Sequence, residues 1–442
     1  MDGASAASTA TPGTTSDPVV DPAPVSGPAT LGCFPEHSPE STIGFVNGAG
    51  ESSLVVADFT GDGFDDVLIQ RWRFQTADEF PIVVLVNDGR GALTEATEQA
   101  VTGPIPETVF VGAGREVIAD LNGDRAPDVF LPDFGKDADP FPGAQNVLLL
   151  STGDGNLVDA SDRLPQRRDT THSAAAGDVD GDGDLDLFVG DIWGGPMIGP
   201  HILINDGSGT FVDSPHPLPF LTDLTQNGFT VGAFVDVDID GDDDLILGDA
   251  GDDIANEESS RLSVILLNDG AGRFSHLQEA LPPGPFDSTP FQIALHIEGT
   301  DLDDDGYPDL VINHTKDYVG RMIQILINDG GGRFRDETQV RLPQRDNGLP
   351  WYRRVEMMDV DRDGDPDIVA RPLDANRPDL LVFLNRGGGF FEPEPERIDV
   401  GWLYYEFIDG DGDGGLDLVF SEYSFRAPER IGILRDVGCR EQ

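Results

Sequence analysis

One acidic phrase recurs seven times along this chain, and that recurrence restricts the fold more than any other feature. The copies begin at Asp58 (DFTGDGFDDVLI), Asp120 (DLNGDRAPDVFL), Asp178 (DVDGDGDLDLFV), Asp236 (DVDIDGDDDLIL), Asp301 (DLDDDGYPDLVI), Asp359 (DVDRDGDPDIVA) and Asp409 (DGDGDGGLDLVF). Successive starts lie 62, 58, 58, 65, 58 and 50 residues apart. An apolar or alternating run precedes each copy, as at Ser53 to Ala57, and a continuous apolar run closes it, as at Leu185 to Val189. A third run then ends in a turn, as in HILINDGSG and QILINDGGG, and a fourth opens on Leu93, Phe211, Phe274, Phe334 or Phe390. Asn, Asp and Gly tolerate the positive φ that tight hairpins demand, so each unit reads as four short strands in hairpin order.

Seven units of four strands predict an all-β, seven-bladed β-propeller rather than a sandwich. A β-solenoid is the alternative, but its coils are much shorter than these units. The seventh unit supplies only three strand runs, Leu403 to Ile408, Leu416 to Phe420 and Ile431 to Leu434. The missing strand is expected from residues 31–40, where Phe34 aligns with Phe211 as the opening of a fourth strand. An N-terminal strand then closes the last blade. Cys33 and Cys439 are the chain's two cysteines, and on this alignment they meet at the closure. A disulfide there would close a loop of about 400 residues and contribute roughly 4–5 kcal/mol in chain-entropy terms, which implies an oxidising compartment. Two unrelated buried thiols are the alternative. The ring is expected to span 31–442, behind an Ala-, Ser-, Thr-, Pro- and Gly-rich stretch, 1–30. That stretch has no apolar signal-peptide core and reads as a disordered linker.

Composition enters through charge. The chain carries 82 acidic and 28 basic residues, a formal charge of -54. Such a surface disfavours nucleic acid as a partner and attracts cations. A general surface bias would account for the total but not for its placement. No run approaches the roughly 18 apolar residues of a membrane span, so membrane insertion is not expected.

Each loop sets oxygen-bearing side chains at positions 1, 3, 5 and 9, and alternate residues of a tight loop can turn inward together. The expected ligands are Asp58, Thr60, Asp62 and Asp66 in the first loop, then Asp120, Asn122, Asp124 and Asp128, and Asp178, Asp180, Asp182 and Asp186. They continue with Asp236, Asp238, Asp240 and Asp244, then Asp301, Asp303, Asp305 and Asp309. Asp359, Asp361, Asp363 and Asp367, and Asp409, Asp411, Asp413 and Asp417, complete the set. Carboxylates this close repel unless a cation lies among them. An all-oxygen site with irregular geometry suits Ca2+, with magnesium second; up to seven structural ions are expected. An EF-hand is excluded, because position 12 holds Val189 or Ile69 rather than Glu and no helices flank the loops. The second loop, with Asn122 at position 3 and Arg125 in place of the position-6 glycine, is the candidate for a weak or empty site.

These phrases, DxDGDGxxDL followed by the LxxNDGxGxF turn, resemble the FG-GAP/VCBS-type repeats of integrin α-subunit propellers and of many bacterial secreted proteins. The resemblance covers about residues 31 to 440. It implies a seven-bladed ring with calcium between the first two strands of a blade, and a binding, adhesion or lectin-like role outside the cytoplasm. The Phe-Gly and Gly-Ala-Pro phrases are degenerate here, so integrin-like partner binding does not carry over.

If strands alternate in direction, the acidic loops lie on one face and the aromatics gather on the other. Trp72, Trp193, Trp351, Tyr352 and Trp402 then form a candidate face for a glycan or protein ligand, with Arg71, Arg321 and Arg353 nearby. Packing between blades is the alternative role for these rings. No catalytic site is expected. The histidines are scattered, no Ser-His-Asp, HExxH or phosphate-loop pattern occurs, and acids are too abundant to nominate a pair. The reading is therefore a calcium-binding adhesion module, extracellular, at the cell surface or in the periplasm. A structural subunit with an assembly partner and a polysaccharide-active lyase or hydrolase are the alternatives.

Overall fold

The computed structural model describes residues 41–44, 51–72, 76–110, 116–139, 141–191, 199–219, 229–249, 263–286, 292–316, 319–344, 351–372, 379–399, 404–412, 415–422 and 430–434. Nearly all regular structure is strand, with two four-residue helices, Thr97–Ala100 and Thr338–Arg341. Seven antiparallel sheets follow the sevenfold repeat and form a propeller ring. Blade one consists of Glu51–Ala57, Asp66–Trp72, Val83–Asn87 and Leu93–Glu95. Blade three, Thr171–Gly177, Asp186–Asp191, His201–Asn205 and Phe211–Asp213, repeats that order. In blade two the segment Val101–Thr102, arriving from blade one, adds a parallel edge to Leu157–Asp159.

The apolar runs pack on both faces because each blade is sandwiched between two others. Leu54, Val67 and Ile69 turn toward blade seven, where they meet Val419, Ile431 and Ile433. Their neighbours Val55 and Leu68 turn toward blade two and meet Val129, Leu131 and Leu149. Each of the seven blade junctions has its own apolar cluster of this kind among the described residues. This is why second strands such as Asp186–Asp191, buried along their whole length, read as continuous rather than alternating apolar sequence.

The last sheet combines the first and last of the described segments. Tyr404–Ile408, Asp417–Glu422 and Arg430–Leu434 are joined by Ser41–Gly44, which pairs antiparallel with the third of them, Ser41 opposite Ile433. The segments 1–40 and 435–442 lie outside the described residues, and with them the linker, the strand expected at 31–40, Cys33 and Cys439.

Candidate metal centre

The acidic loops join the first and second strands of each blade, and the Asn-Asp-Gly turns join the third and fourth. Antiparallel order therefore puts both sets on the same face. Alternation organises each loop. Position 2 (Phe59, Leu121, Val179, Val237, Leu302, Val360) is buried in a blade junction, so positions 1 and 3 turn the other way. The position-1 carboxylate accepts backbone N–H groups from inside the loop. Asp178 takes Gly181 at 2.9 Å and Gly183 at 3.0 Å, and Asp359 takes Asp363 and Gly364 in the same manner. The loop must bend twice, with positive φ at positions 4 and 6. Gly181 and Gly183 meet that demand freely, whereas Ile239, Asp304 and Arg362 adopt it at position 4 and Arg125 at position 6.

Position 9 begins the second strand and is the most constrained acid. One oxygen of Asp186 accepts the N–H of Val179 at 3.0 Å, and the other accepts that of Asn205 at 2.8 Å. Burial pushes its carboxyl up to about 7, the backbone donors offsetting part of the effect. The same cause raises Asp244 and Asp367 to about 7, and Asp66, Asp128 and Asp309 to about 6.

Positions 1, 3 and 9 come together in four loops: Asp178, Asp180 and Asp186; Asp236, Asp238 and Asp244; Asp301, Asp303 and Asp309; and Asp359, Asp361 and Asp367. In each set one oxygen per residue lies within 4.8 Å of the others. The position-3 acid carries the decisive feature. One carboxylate oxygen of Asp180, Asp238, Asp303 and Asp361 is buried and accepts no hydrogen bond. A buried anionic oxygen without a donor is strongly unfavourable, and here the same defect recurs at one position of four loops. A hard cation held by all-oxygen ligands removes it, so the residues present fit Ca2+.

Position 5 stands apart from these sets. Asp182, Asp240, Asp305 and Asp363 each accept the N–H two residues on, at 2.9–3.1 Å, through one oxygen. Their charge is still felt, since Asp182 raises the carboxyl of Asp180, after burial itself.

The first, second and seventh loops form no such triplet among the described residues. Thr60 takes position 3 of the first, its hydroxyl oxygen buried beside the Asp66 carboxylate. In the second, neutral donors occupy the place of a cation: Asn122 Nδ2 donates to Asp128 at 3.0 Å, and Ser151 Oγ donates to Asp124 at 2.7 Å. Asp413 of the seventh lies outside the described residues.

The Asn of the Asn-Asp-Gly turn has a role that its turn propensity does not reveal. Asn205 Nδ2 donates to Leu185 O in its own loop and to Leu121 O in the preceding blade, at 3.0 and 2.8 Å. Asn268 reaches Val179 O, Asn328 reaches Val237 O, and Asn87 reaches Gly410 O across the ring closure. In each case the acceptor is the position-2 carbonyl of the neighbouring acidic loop. The recurring Asn ahead of Asp-Gly is the signal that could have disclosed this clasp, had the blade order been applied to it.

The aromatic face is corrected at two positions. Trp72 is only 2 % exposed and packs edge-on to Phe110 at 5.4 Å, in a series that continues through Phe134 to His172. Tyr352 is 4 % exposed and lies beneath the Arg321 guanidinium at 4.4 Å. Both rings pack within the ring of blades and present no ligand surface. Trp351 is half-buried, and Trp193 and Trp402 lie outside the described residues.

Two segments, 120–189 and 301–370, match the FG-GAP-like repeat, each beginning on the first Asp of an acidic loop. Among solved structures, the chain is similar to the periplasmic gluconolactonase PpgL of Pseudomonas aeruginosa, at 16 % identity over 79 % of this chain and 85 % of that one, with a TM-score of 0.46. By its seven sheets and these two matches, the chain is a seven-bladed propeller carrying FG-GAP-like repeats. No described helix is long and apolar enough to cross a membrane.

Proposed function

We propose that this protein is an extracellular calcium-binding β-propeller that acts as a binding or adhesion module, at the cell surface or in the periplasm. The observation that carries the metal assignment is the buried, donor-less oxygen at position 3 of four loops. Bound calcium would neutralise the convergent acids and hold the first two strands of a blade together. Asp180, Asp238, Asp303 and Asp361 would contribute their orphaned oxygens, with the position-1 and position-9 carboxylates of the same loops. The Asn clasps run from these loops to their neighbours, so ordering one loop supports the blade junction beside it. The result is a rigid ring whose opposite face, where Trp351 lies, is free to vary its loops for a protein or glycan ligand.

Melting curves in calcium and in excess chelator test the metal assignment. Each site contributes about 2.7 kcal/mol when calcium stands a hundredfold above its Kd, so chelation should lower the melting temperature substantially. Unchanged melting would refute structural calcium. Screening the calcium-loaded protein against glycan and surface-protein arrays tests the binding role. Cleavage of a hit would replace it with an enzymatic one, and calcium-dependent growth in light scattering would replace it with a structural subunit.

A further inference from the structure

The four acid triplets are alike in their ligands and unlike in their surroundings. Beyond burial, Asp180 feels the charges of Asp182 and Asp178, and Asp238 those of Asp240, Asp236 and Asp242, all acids of the same loops. The fifth and sixth loops instead meet a guanidinium at position 3. Arg341 Nη2 lies 2.9 Å from one oxygen of Asp303, and Arg386 Nη1 lies 3.7 Å from one oxygen of Asp361. In both residues the other oxygen is the buried one that accepts no hydrogen bond.

The two arginines are held differently. Arg341, only 6 % exposed, uses all three of its nitrogens. Nε donates to Glu337 at 2.8 Å, Nη1 to the carbonyl of Gly388 in blade six, and Nη2 to Asp303. Its guanidinium also lies 5.0 Å from the centre of the Phe390 ring, and a Cβ at Gly389 would come within 2.8 Å of Nη1, so a glycine stands where this side chain passes. Glu337 is shared with Arg335, which leaves the positive charge of Arg341 to act on Asp303. Arg386 is 35 % exposed and pairs more closely with Glu392, at 2.8 Å, than with Asp361. Arg341 is therefore a fixed, buried charge and Arg386 a loose one open to screening.

We infer that Arg341 sets the calcium affinity of the fifth loop, which fills only after the third and fourth. The inference rests on the calcium reading above. An ion taking the free oxygen of Asp303 shares that carboxylate with a buried guanidinium, and like charges that close in a partly buried site repel strongly. Asp180 and Asp238 carry no such competitor. The same contact gives the fifth loop a cation of its own: Arg341 ties Asp303 to the turn of blade six, so this loop is held without metal while the third and fourth await it. The sixth loop, with its looser arginine, falls between. Calcium then tightens the ring unevenly, blades three and four first.

Hydrogen exchange read by mass spectrometry on the full chain, stripped with chelator and then titrated with calcium, follows each loop separately. Peptides over 178–186 and 236–244 should gain protection at calcium concentrations about tenfold lower than the peptide over 301–309. The latter should also be the better protected of the three in chelator. Arg341→Gln, which removes the charge, should shift the midpoint of the fifth loop about tenfold toward lower calcium and leave that of the third unchanged. Arg386→Gln should move the sixth by less. Melting in calcium verifies that each variant is folded; should Arg341→Gln fail this check, the order of midpoints in the wild-type chain still decides. A fifth-loop midpoint at or below those of the third and fourth, or one that stays in place or rises in folded Arg341→Gln, would overturn the inference and leave the calcium assignment standing. Absence of calcium-dependent protection in every loop would remove the assignment itself, and this inference with it.

Discussion

Asp180→Asn should change the sign of its effect with calcium. In chelator, Asp180 faces Asp178 and Asp186, with one oxygen of each within 4.8 Å of the others. At that separation and an effective dielectric of about 20, a pair of full charges costs roughly 3 kcal/mol before screening. Two effects reduce this. Asp180 is within reach of solvent, and Asp186, pushed up to about 7, carries its proton about half the time at neutral pH. A repulsion of about 1–2 kcal/mol remains. Asparagine removes it while keeping the shape, so the variant should be more stable than wild type by that amount without metal. In calcium the order reverses. The variant lacks an anionic ligand, and if its site no longer fills at a hundredfold excess over the wild-type Kd, about 2.7 kcal/mol of linkage is lost. Urea unfolding of both proteins in chelator and in calcium measures the crossing directly. The same sign in both conditions would show that the orphaned oxygen of Asp180 is not a cation ligand.

Asn328→Ala should leave the carbonyls of Val237 and Pro308 without their shared donor, now at 2.8 and 3.0 Å, and destabilise the fold by roughly 2–4 kcal/mol. The exposed neighbour Asp329→Ala serves as the control, and equal losses in calcium-saturated unfolding would refute the clasp. Glu298 is raised from 4.5 to about 7 by burial, so the folded protein keeps its proton where the unfolded chain has released it. The stability it contributes is complete below pH 4.5 and is lost as pH rises through 7. Glu298→Gln should therefore gain on wild type between pH 4.5 and 8 by roughly 2 kcal/mol, allowing for a side chain one-third exposed; a melting difference that does not vary with pH contradicts this. Ile239 holds φ at 57°, so Ile239→Gly should relieve strain and stabilise the fourth loop by about 0.5–1 kcal/mol, read as a higher melting temperature in calcium.

The sevenfold spacing, the four strands per unit and the metal-ready positions are all local pattern. A strand needs its apolar run and a loop needs its Asp and Gly, so the sequence determined the blade count, the loop ends and the position-3 acids. It also marked the second loop as different, because Asn122 and Arg125 replace residues that the pattern requires. Tertiary structure decided what depends on which blades touch. Trp72 reads as a surface aromatic in its own unit, yet Phe110, which arrives with the next blade, buries it. The turn asparagines read as hairpin formers, and only ring order brings Val179 O to Asn268 and Gly410 O to Asn87. Glu356 and Glu406 are three residues ahead of their own loops in sequence, but the packing of blade seven on blade six places them around the same two arginines, Arg354 and Arg371. Burial and charge pairing between blades are properties of the closed circle, and a single repeat contains neither.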